Sequence, residues 1–310
     1  MDKIFYDRYL ERLFTRSFEQ SPFDAICTFL RVKGLSDAGW DPFEESLDAV
    51  ADFEWLKDIS SEKRGERCER RIALLMYCQL VEMTAVHEMI ANLLKCLAGT
   101  PYVINPFHHP IRKKKKEHLF GLKPPSAKQK FNEIKTTAAM VKENTLIDCI
   151  ESFFHEDIRN AFSHSDFVLT DTDFRFFKDH VASHISLSEV DQKINSSFLF
   201  YSAFISVHRR MLVHLAQMKR FYKLPEYEVL ELLSNPTDGI FGFHIHFANG
   251  SKATFKRKRS GTEAINMGFD TDGTIRLFLG NSNKLERVWK VDGIPVGDWE
   301  TLEASNRDLE

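Results

Sequence analysis

The sequence predicts an α+β protein that is mainly α-helical, with a helical bundle followed by a small C-terminal antiparallel β-meander. Up to about Tyr227, apolar residues recur at three- and four-residue steps, which is the period of a helix. After Asn235 they form short runs separated by turn dipeptides, a pattern typical of strands. We therefore expect N-terminal helical segments at 1–60, the bundle at 61–225 and the β-meander at 236–300.

The helical part contains seven predicted helices. The longest runs from about Ser61 to Ala98, and Gly99 is a natural stop for it. Between Thr100 and Pro125, five prolines and a run of basic residues predict a loop. The other helices are predicted at about 3–20, 23–32, 42–58, 126–143, 145–163 and 188–221.

Turn dipeptides organise the C-terminal part. Asn249-Gly250 lies between "GIFGFHIHF" and "KATFKRKR", and this dipeptide is a strong short hairpin signal. A second hairpin is predicted around Asp272-Gly273, between "AINMGFD" and "TIRLFLG". A further strand at about 285–291 ends near Asp292-Gly293. Four to six antiparallel strands are expected. Because so small a sheet is not obviously stable alone, we expect it to pack against the helices.

Composition excludes several classes of protein. The chain has 310 residues, and 43% of them are hydrophobic, which is ample for a core. Its formal net charge of −3 is too small to attract the whole protein to nucleic acid or to anionic lipid. Its five cysteines are odd in number and form no CxxC pair, which indicates reduced thiols in a cytoplasmic protein. The longest apolar run, "IALLMYC", is far shorter than a spanning helix, so no membrane partner is expected.

Several charged or histidine-containing stretches are candidate binding sites. A basic cluster at 112–116, in the long loop, suits contact with the RNA backbone, although a solvated loop explains it equally well. His244 and His246 project from one face of a predicted strand, either as metal ligands or as the wet face of a sheet. The other stretches are His108-His109, the pair His208 and His214, and "KRKR" at 256–259, for which bland structural roles are favoured. The residues of the basic cluster expected to contact RNA are Arg112, Lys113, Lys114, Lys115 and Lys116.

The stretch "EDIRNAFSHSDF", from Glu156 to Phe167, concentrates the residues best suited to chemistry. Asn160 and His164 lie one helical turn apart, whereas Arg159 and His164 are about 140° apart on a regular helix. One helix therefore does not aim both at one point, but two copies related by a two-fold axis can bring one chain's arginine to the other's histidine. The alternative is structural, with Arg159 paired to Glu156 or Glu151 and His164 capping a helix.

"RNAFSH" at the end of an apolar helix closely resembles the signature of the HEPN superfamily, whose motif is an arginine, usually a polar residue, and then a histidine four to six residues after the arginine. Arg159, Asn160 and His164 occupy these three positions. The likeness is specific over about 146–177 and looser over the helices from Ser61 to Phe221. It implies a HEPN-like helical bundle and, if the protein is catalytic, a metal-independent RNase with a composite site in a homodimer. Many such proteins are toxins or defence effectors, which implies a possible antitoxin or regulatory partner.

The residue types suit that chemistry. Cleavage of RNA by its own 2′-hydroxyl needs proton transfer, which histidine performs near neutrality, and positive charge on the phosphate, which the arginine fork supplies. We therefore expect Arg159, Asn160 and His164 to be catalytic, with Glu156 and Ser163 in support. No metal and no cofactor are expected, because no ligand cluster or glycine-rich phosphate loop is visible. The alternatives are a non-catalytic HEPN-like module that binds RNA, a nucleotide or a partner, and a structural adaptor.

Overall fold

The computed structural model describes residues 1–32, 42–60, 66–107, 125–178, 181–218, 220–223, 229–247, 250–258, 261–269, 275–277, 290–291 and 294–295. These residues form nine helices and twelve strands. The helices are α1 (Lys3–Gln20), α2 (Pro22–Phe29), α3 (Phe43–Ser60), α4 (Glu66–Val81), α5 (Thr84–Leu97), α6 (Ala127–Met140), α7 (Asn144–Phe153), α8 (Glu156–Ser163) and α9 (Leu187–Gln217).

The strands fall into two sheets and two short hairpins, all antiparallel. The first sheet has the order β1-β2-β3 and the second the order β4-β5-β6-β7-β8, while β9 pairs with β10 and β11 with β12. The strands are β1 (Phe167–Leu169), β2 (Asp173–Lys178), β3 (Val181–Ser186), β4 (Phe221–Lys223), β5 (Val229–Asn235), β6 (Gly239–His246), β7 (Lys252–Lys258), β8 (Gly261–Ile265), β9 (Met267–Phe269), β10 (Ile275–Leu277), β11 (Lys290–Val291) and β12 (Ile294–Pro295).

The chain divides into two compact units, each assembled from three separate stretches. Unit 1 comprises Met1–Leu10, Phe43–His87 and His109–Ile205, and unit 2 comprises Glu11–Pro42, Glu88–His108 and Ser206–Glu310. The units alternate along the chain, so α1, α5 and α9 each contribute residues to both. The division at 1–60, 61–225 and 236–300 follows sequence order and stays a prediction about domains.

An aromatic cluster forms the core of unit 1. Phe153 of α7 lies between Phe131 of α6 and Phe200 of α9, with ring centroids 5.7 and 5.0 Å away. Tyr201 completes the cluster at 5.7 Å from Phe153, and all four side chains are buried. Aromatic pairs of this kind stabilise a fold beyond the burial of the rings themselves. They therefore hold α6 and α9 in fixed positions around α7.

The three-stranded sheet follows α8 directly in unit 1. Phe174 and Phe176 on β2 are buried, whereas Phe177 on the same strand is 67% exposed, as alternation along a half-buried strand requires. Phe162 of α8 packs on Phe167 of β1 with ring centroids 5.2 Å apart. The sheet is therefore attached to the helix that carries the candidate motif.

Unit 2 is built around the five-stranded sheet. Phe243 of β6 and Phe255 of β7 are fully buried, and Phe23 of α2 contacts the Phe243 ring edge-on at 5.6 Å. Gly239 has a φ of 78°, and a Cβ there would lie 2.4 Å from the carbonyl carbon of Leu212, so β6 begins against the backbone of α9. The sheet thus packs on helices of its own unit.

These sheets correct the predicted fold class. A mainly helical bundle with one small C-terminal β-meander is wrong, because a three-stranded sheet interrupts the helical part and the C-terminal sheet has five strands that pack on α2 and α9. No strand is predicted between the helices at 145–163 and 188–221, although Phe167, Leu169, Phe174 and Phe176 alternate inward along β1 and β2. That alternation was the missed signal.

Two of the predicted helices are each divided into two separate helices in the structure. The stretch predicted from Ser61 to Ala98 breaks at Glu82 and Met83, and the stretch predicted at 145–163 breaks at Phe154 and His155. Apolar spacing stays helical across both breaks, so periodicity does not reveal them. No helix among the described residues is long and apolar enough to cross a membrane.

Candidate functional site

Helix α8 is a separate short helix because Tyr77 of α4 satisfies the backbone at the break before it. The Tyr77 hydroxyl donates to the carbonyl of Phe153 at 3.0 Å and accepts from the N–H of His155 at 2.9 Å. Burial raises the pKa of Tyr77, so its hydroxyl keeps the proton that it donates. The start of α8 is thereby fixed to α4, and Ile158 is buried beneath it.

The other end of α8 is closed by a left-handed residue, Ser165, with a φ of 58°. The N–H of Asp166 bonds to the carbonyl of Ala161 at 2.8 Å, and the N–H of Ser165 to that of Phe162 at 3.1 Å. This is the Schellman arrangement, with serine where glycine is usual. His164 is therefore the C-cap residue, at the point where the helix turns away.

Arg159 lies on the side of α8 that faces α4. Its Nη1 donates to the Asn160 side-chain oxygen at 2.8 Å, and its Nη2 lies 2.5 Å from Glu82 Oε1. Although that contact is short, Glu82 Oε1 accepts no hydrogen bond from the described residues, so the pair is an ion pair with poor hydrogen-bond alignment. Arg159 Nε is buried and likewise has no acceptor among the described residues. The guanidinium is thus positioned but incompletely satisfied.

His164 and Ser163 are exposed, and His164 makes no side-chain hydrogen bond or ion pair with the described residues. Arg159 and Asn160 are half-buried and bonded to each other. The structure therefore brings Arg159 and Asn160 together and leaves the His164 imidazole free to meet a ligand or another chain. Asn160 Oδ1 is occupied by Arg159, whereas its amide nitrogen makes no hydrogen bond within the described part of the chain.

The supporting residues are arranged differently from what was expected. Glu156 pairs with Lys128 of α6 at 2.6 Å, and Glu151 pairs with Lys135 at 3.4 Å, so neither is the carboxylate beside Arg159. Asp157, next to Glu156, pairs with Lys178 of β2 at 2.8 Å. The Glu156 and Asp157 pairs tie α8 to α6 and β2, and Glu82 takes the position beside Arg159 that had been considered for Glu156.

Glu82 and Cys78 are the residues near the site that sequence reasoning missed. The Cys78 thiol is 3.9 Å from the carbonyl of Arg159. Burial raises the pKa of Cys78 to about 11, against the effects of the Ser163 hydroxyl and the Arg159 charge, so it is a protonated thiol and a poor nucleophile at neutral pH. Both residues belong to the α4 region, far from the motif in sequence, and no local pattern points to them.

The other candidate residues lie elsewhere. Arg112–Lys116 and His108-His109 are outside the described residues. His208 is buried in unit 2 and bonded to the carbonyl of Phe29 at 2.7 Å, whereas His214 is exposed, so they do not form a pair. In "KRKR", Lys256 pairs with Glu263 at 3.3 Å and Arg257 caps the end of α2 by donating to the carbonyl of Leu30 at 2.6 Å.

The arrangement at α8 offers a cation, Arg159, fixed by polar neighbours and, one helical turn after Asn160, an exposed imidazole. No group of metal ligands occurs among the described residues. In comparisons with known proteins, no family model, curated protein or solved structure matches the chain. The geometry of α8 and the chemistry of Arg159, Asn160 and His164 are therefore what indicates a function.

Proposed function

We propose that the chain is a metal-independent endoribonuclease that cleaves RNA by attack of the 2′-hydroxyl, with Arg159, Asn160 and His164 forming half of a site completed by a second copy. The observation that carries this proposal is the Arg159 guanidinium held beside the Asn160 amide, with an exposed His164 one helical turn after Asn160. The resemblance of the three residues to the HEPN motif supports it. Free cysteines in the described residues suit a reducing, cytoplasmic setting for a toxin or defence effector with a regulatory partner.

Each residue has a distinct role in this proposal. Arg159 binds the scissile phosphate and stabilises the charge that develops on it, because its planar fork makes two parallel bonds. His164 moves the proton between the 2′-hydroxyl and the leaving 5′-oxygen. Asn160 keeps the guanidinium in place and offers its amide nitrogen to a phosphate oxygen.

Glu82 makes the proposal specific to this chain. Its carboxylate occupies Arg159 in the free protein, and the two side chains are 35% and 29% exposed. A phosphate that approaches Arg159 must displace or share that carboxylate. Because the ion pair is partly exposed and poorly aligned, its loss costs about 1 kcal/mol or less, which a bidentate phosphate contact offsets.

The same pair favours a second candidate function, a non-catalytic binding module. An arginine already paired to Glu82 can act as a gate that selects a strong anion, with His164 adding a contact and no proton transfer. Such a module binds RNA or a nucleotide and leaves it intact.

A mixing experiment tests the composite site. Arg159→Ala and His164→Ala should each slow cleavage of single-stranded RNA by about 10²-fold or more, and Arg159→Lys should recover little. When the two alanine variants are mixed in equal amounts, about half of the dimers carry one intact site of two, so roughly a quarter of the wild-type rate should return. A folded mixture that is no more active than its components would contradict the composite site.

Glu82→Gln and a matched arginine variant test whether the Arg159 guanidinium contacts RNA. Arg70 of α4 pairs with Asp191 at 3.0 Å, so Arg70→Ala removes a comparable arginine and should leave cleavage unchanged. Glu82→Gln should raise RNA affinity, because it frees the guanidinium. Tight RNA binding with no cleavage by the wild-type protein would make the binding module the better account.

A further inference from the structure

A second polar cluster lies on one face of the five-stranded sheet in unit 2. Glu231 on β5 is directly opposite His244 on β6, and His244 is opposite Thr254 on β7. His246 lies two residues beyond His244 on the same face and is opposite Lys252. These residues, here called the His244 cluster, are far more polar than the buried face formed by Phe243, Ile245 and Phe255.

Glu231 fixes the orientation of one imidazole. Its carboxylate is 4% exposed, lies 2.5 Å from Arg220 Nη2 and 2.9 Å from His246 Nε2. Burial acts to raise the pKa of Glu231, but the bonds from His246 and Arg220 outweigh it and hold the pKa at about 2. Glu231 is therefore ionised at neutral pH and only accepts, so His246 Nε2 is the donor and its Nδ1 is the remaining nitrogen.

The second imidazole is held by a hydroxyl. His244 Nδ1 lies 2.9 Å from Thr254 Oγ1, which leaves its Nε2 without a partner among the described residues. The two rings are perpendicular, with centroids 5.9 Å apart. Both histidines are partly exposed to solvent. Two oriented imidazoles therefore present one ring nitrogen each.

Positive charge collects around His244. Burial lowers the pKa of His244 to about 4, and the nearby Lys252, His246 and Lys256 add to that lowering, while Glu231 opposes it. Lys256 is paired with Glu263, whereas Lys252 is exposed and makes no ion pair with any described residue. Glu231 is already engaged by Arg220 and His246. The carboxylate of the cluster is therefore already paired, whereas among the described residues the positive charge of Lys252 is not, so the cluster suits an anionic ligand and not a cation.

We propose that the His244 cluster binds a phosphate group, with His244, His246 and Lys252 donating to its oxygens. An anion that accepts two hydrogen bonds of about 2.8 Å bridges donors roughly 5–7 Å apart, and the centroids of the two rings that carry these donors are 5.9 Å apart. Binding places protons on His244 Nε2 and His246 Nδ1, and Glu231 continues to orient His246. This site is independent of the ribonuclease activity proposed for α8.

Histidine NMR on the full-length protein tests the site. With ¹⁵N-labelled histidine, addition of inorganic phosphate at pH 6.5 should give saturable shifts at His244 and His246 that chloride of equal ionic strength does not produce. The titration midpoint of His244 should rise in phosphate, because a bound anion favours the protonated imidazole. Lys252→Gln should weaken binding by roughly tenfold, the usual effect of a lost charge-assisted hydrogen bond.

Controls and a second probe make the result decisive. Lys3→Gln, which removes an exposed lysine of α1, should leave the affinity unchanged. Methyl phosphate and dimethyl phosphate distinguish the source of the group: binding of the monoester alone identifies a free phosphate or phosphomonoester, and equal binding of the diester identifies a nucleic-acid backbone. Shifts that do not saturate, that are equal in Lys252→Gln, or that involve all exposed histidines alike would overturn the proposal.

Discussion

Ser165 closes α8 in a conformation that a serine adopts at a cost. Its φ of 58° is in the left-handed region, which disfavours any side chain with a Cβ and suits glycine. We expect Ser165→Gly to raise the free energy of unfolding by about 0.5 kcal/mol, the strain relieved less the added freedom of the unfolded glycine. Urea denaturation measures the change.

A neighbouring serine provides the control for that substitution. Ser163 is the last helical residue of α8, so Ser163→Gly should lower the free energy of unfolding by about 0.5 kcal/mol. If both substitutions destabilise the protein equally, Ser165 does not have the left-handed conformation that ends α8 here.

At the candidate site, the sequence indicated Arg159, Asn160 and His164 but not their surroundings. The three residues lie within one turn and a half of helix, and local spacing is enough to find them. Glu82 and Tyr77 belong to the α4 region, and only the folded chain brings them to α8. Pairing between side chains that are far apart in the sequence depends on the tertiary structure, so the choice of Glu82 over Glu156 has no signal in the sequence.

At the scale of elements, the register of the three-stranded sheet makes a sharp prediction. Phe174 is fully buried and Phe177, on the same strand, is 67% exposed. Phe174→Ala should lower the free energy of unfolding by about 3–4 kcal/mol, and Phe177→Ala by about 0.5 kcal/mol or less. Denaturant unfolding of both variants checks the register, and similar losses for the two would contradict it.

The elements best predicted from sequence are those with local punctuation. The hairpins around Asn249-Gly250 and Asp272-Gly273 are confirmed by the pairing of β6 with β7 and of β9 with β10. The helix breaks at Glu82 and at His155 were missed, because Lys130 donating to Thr84 and Tyr77 binding the freed backbone stabilise them from distant positions. The spacing of apolar residues carries no information about hydrogen-bond partners that are distant in the sequence.

For the molecule as a whole, two buried histidines determine part of the response to acid. Burial lowers the pKa of His87 to about 3 and that of His208 to about 4, and both side chains are inaccessible to solvent or nearly so. In the unfolded chain each takes up a proton near pH 6.5, so the unfolded state binds more protons below that pH. Stability is therefore full above pH 6.5 and falls towards pH 4, by about 2 kcal/mol per histidine at pH 5.

His208→Gln isolates one of these contributions. The free energy of unfolding of this variant should fall by about 2 kcal/mol less than that of the wild type between pH 7.5 and pH 5. His214→Gln, an exposed histidine on the same helix, should follow the wild type. Urea denaturation at both pH values measures the difference, and an acid response that is identical in all three proteins would refute the role of burial.

A single-turnover assay in EDTA measures whether the α8 site cleaves RNA without a metal. Wild-type protein should cut single-stranded RNA to products ending in a 2′,3′-cyclic phosphate and leave DNA of the same sequence intact, because DNA lacks the attacking 2′-hydroxyl. His164→Ala should be slower by about 10²-fold or more while its unfolding curve stays that of the wild type. Cleavage that requires added Mg²⁺, or that proceeds equally fast in His164→Ala and Arg159→Ala, would contradict the account.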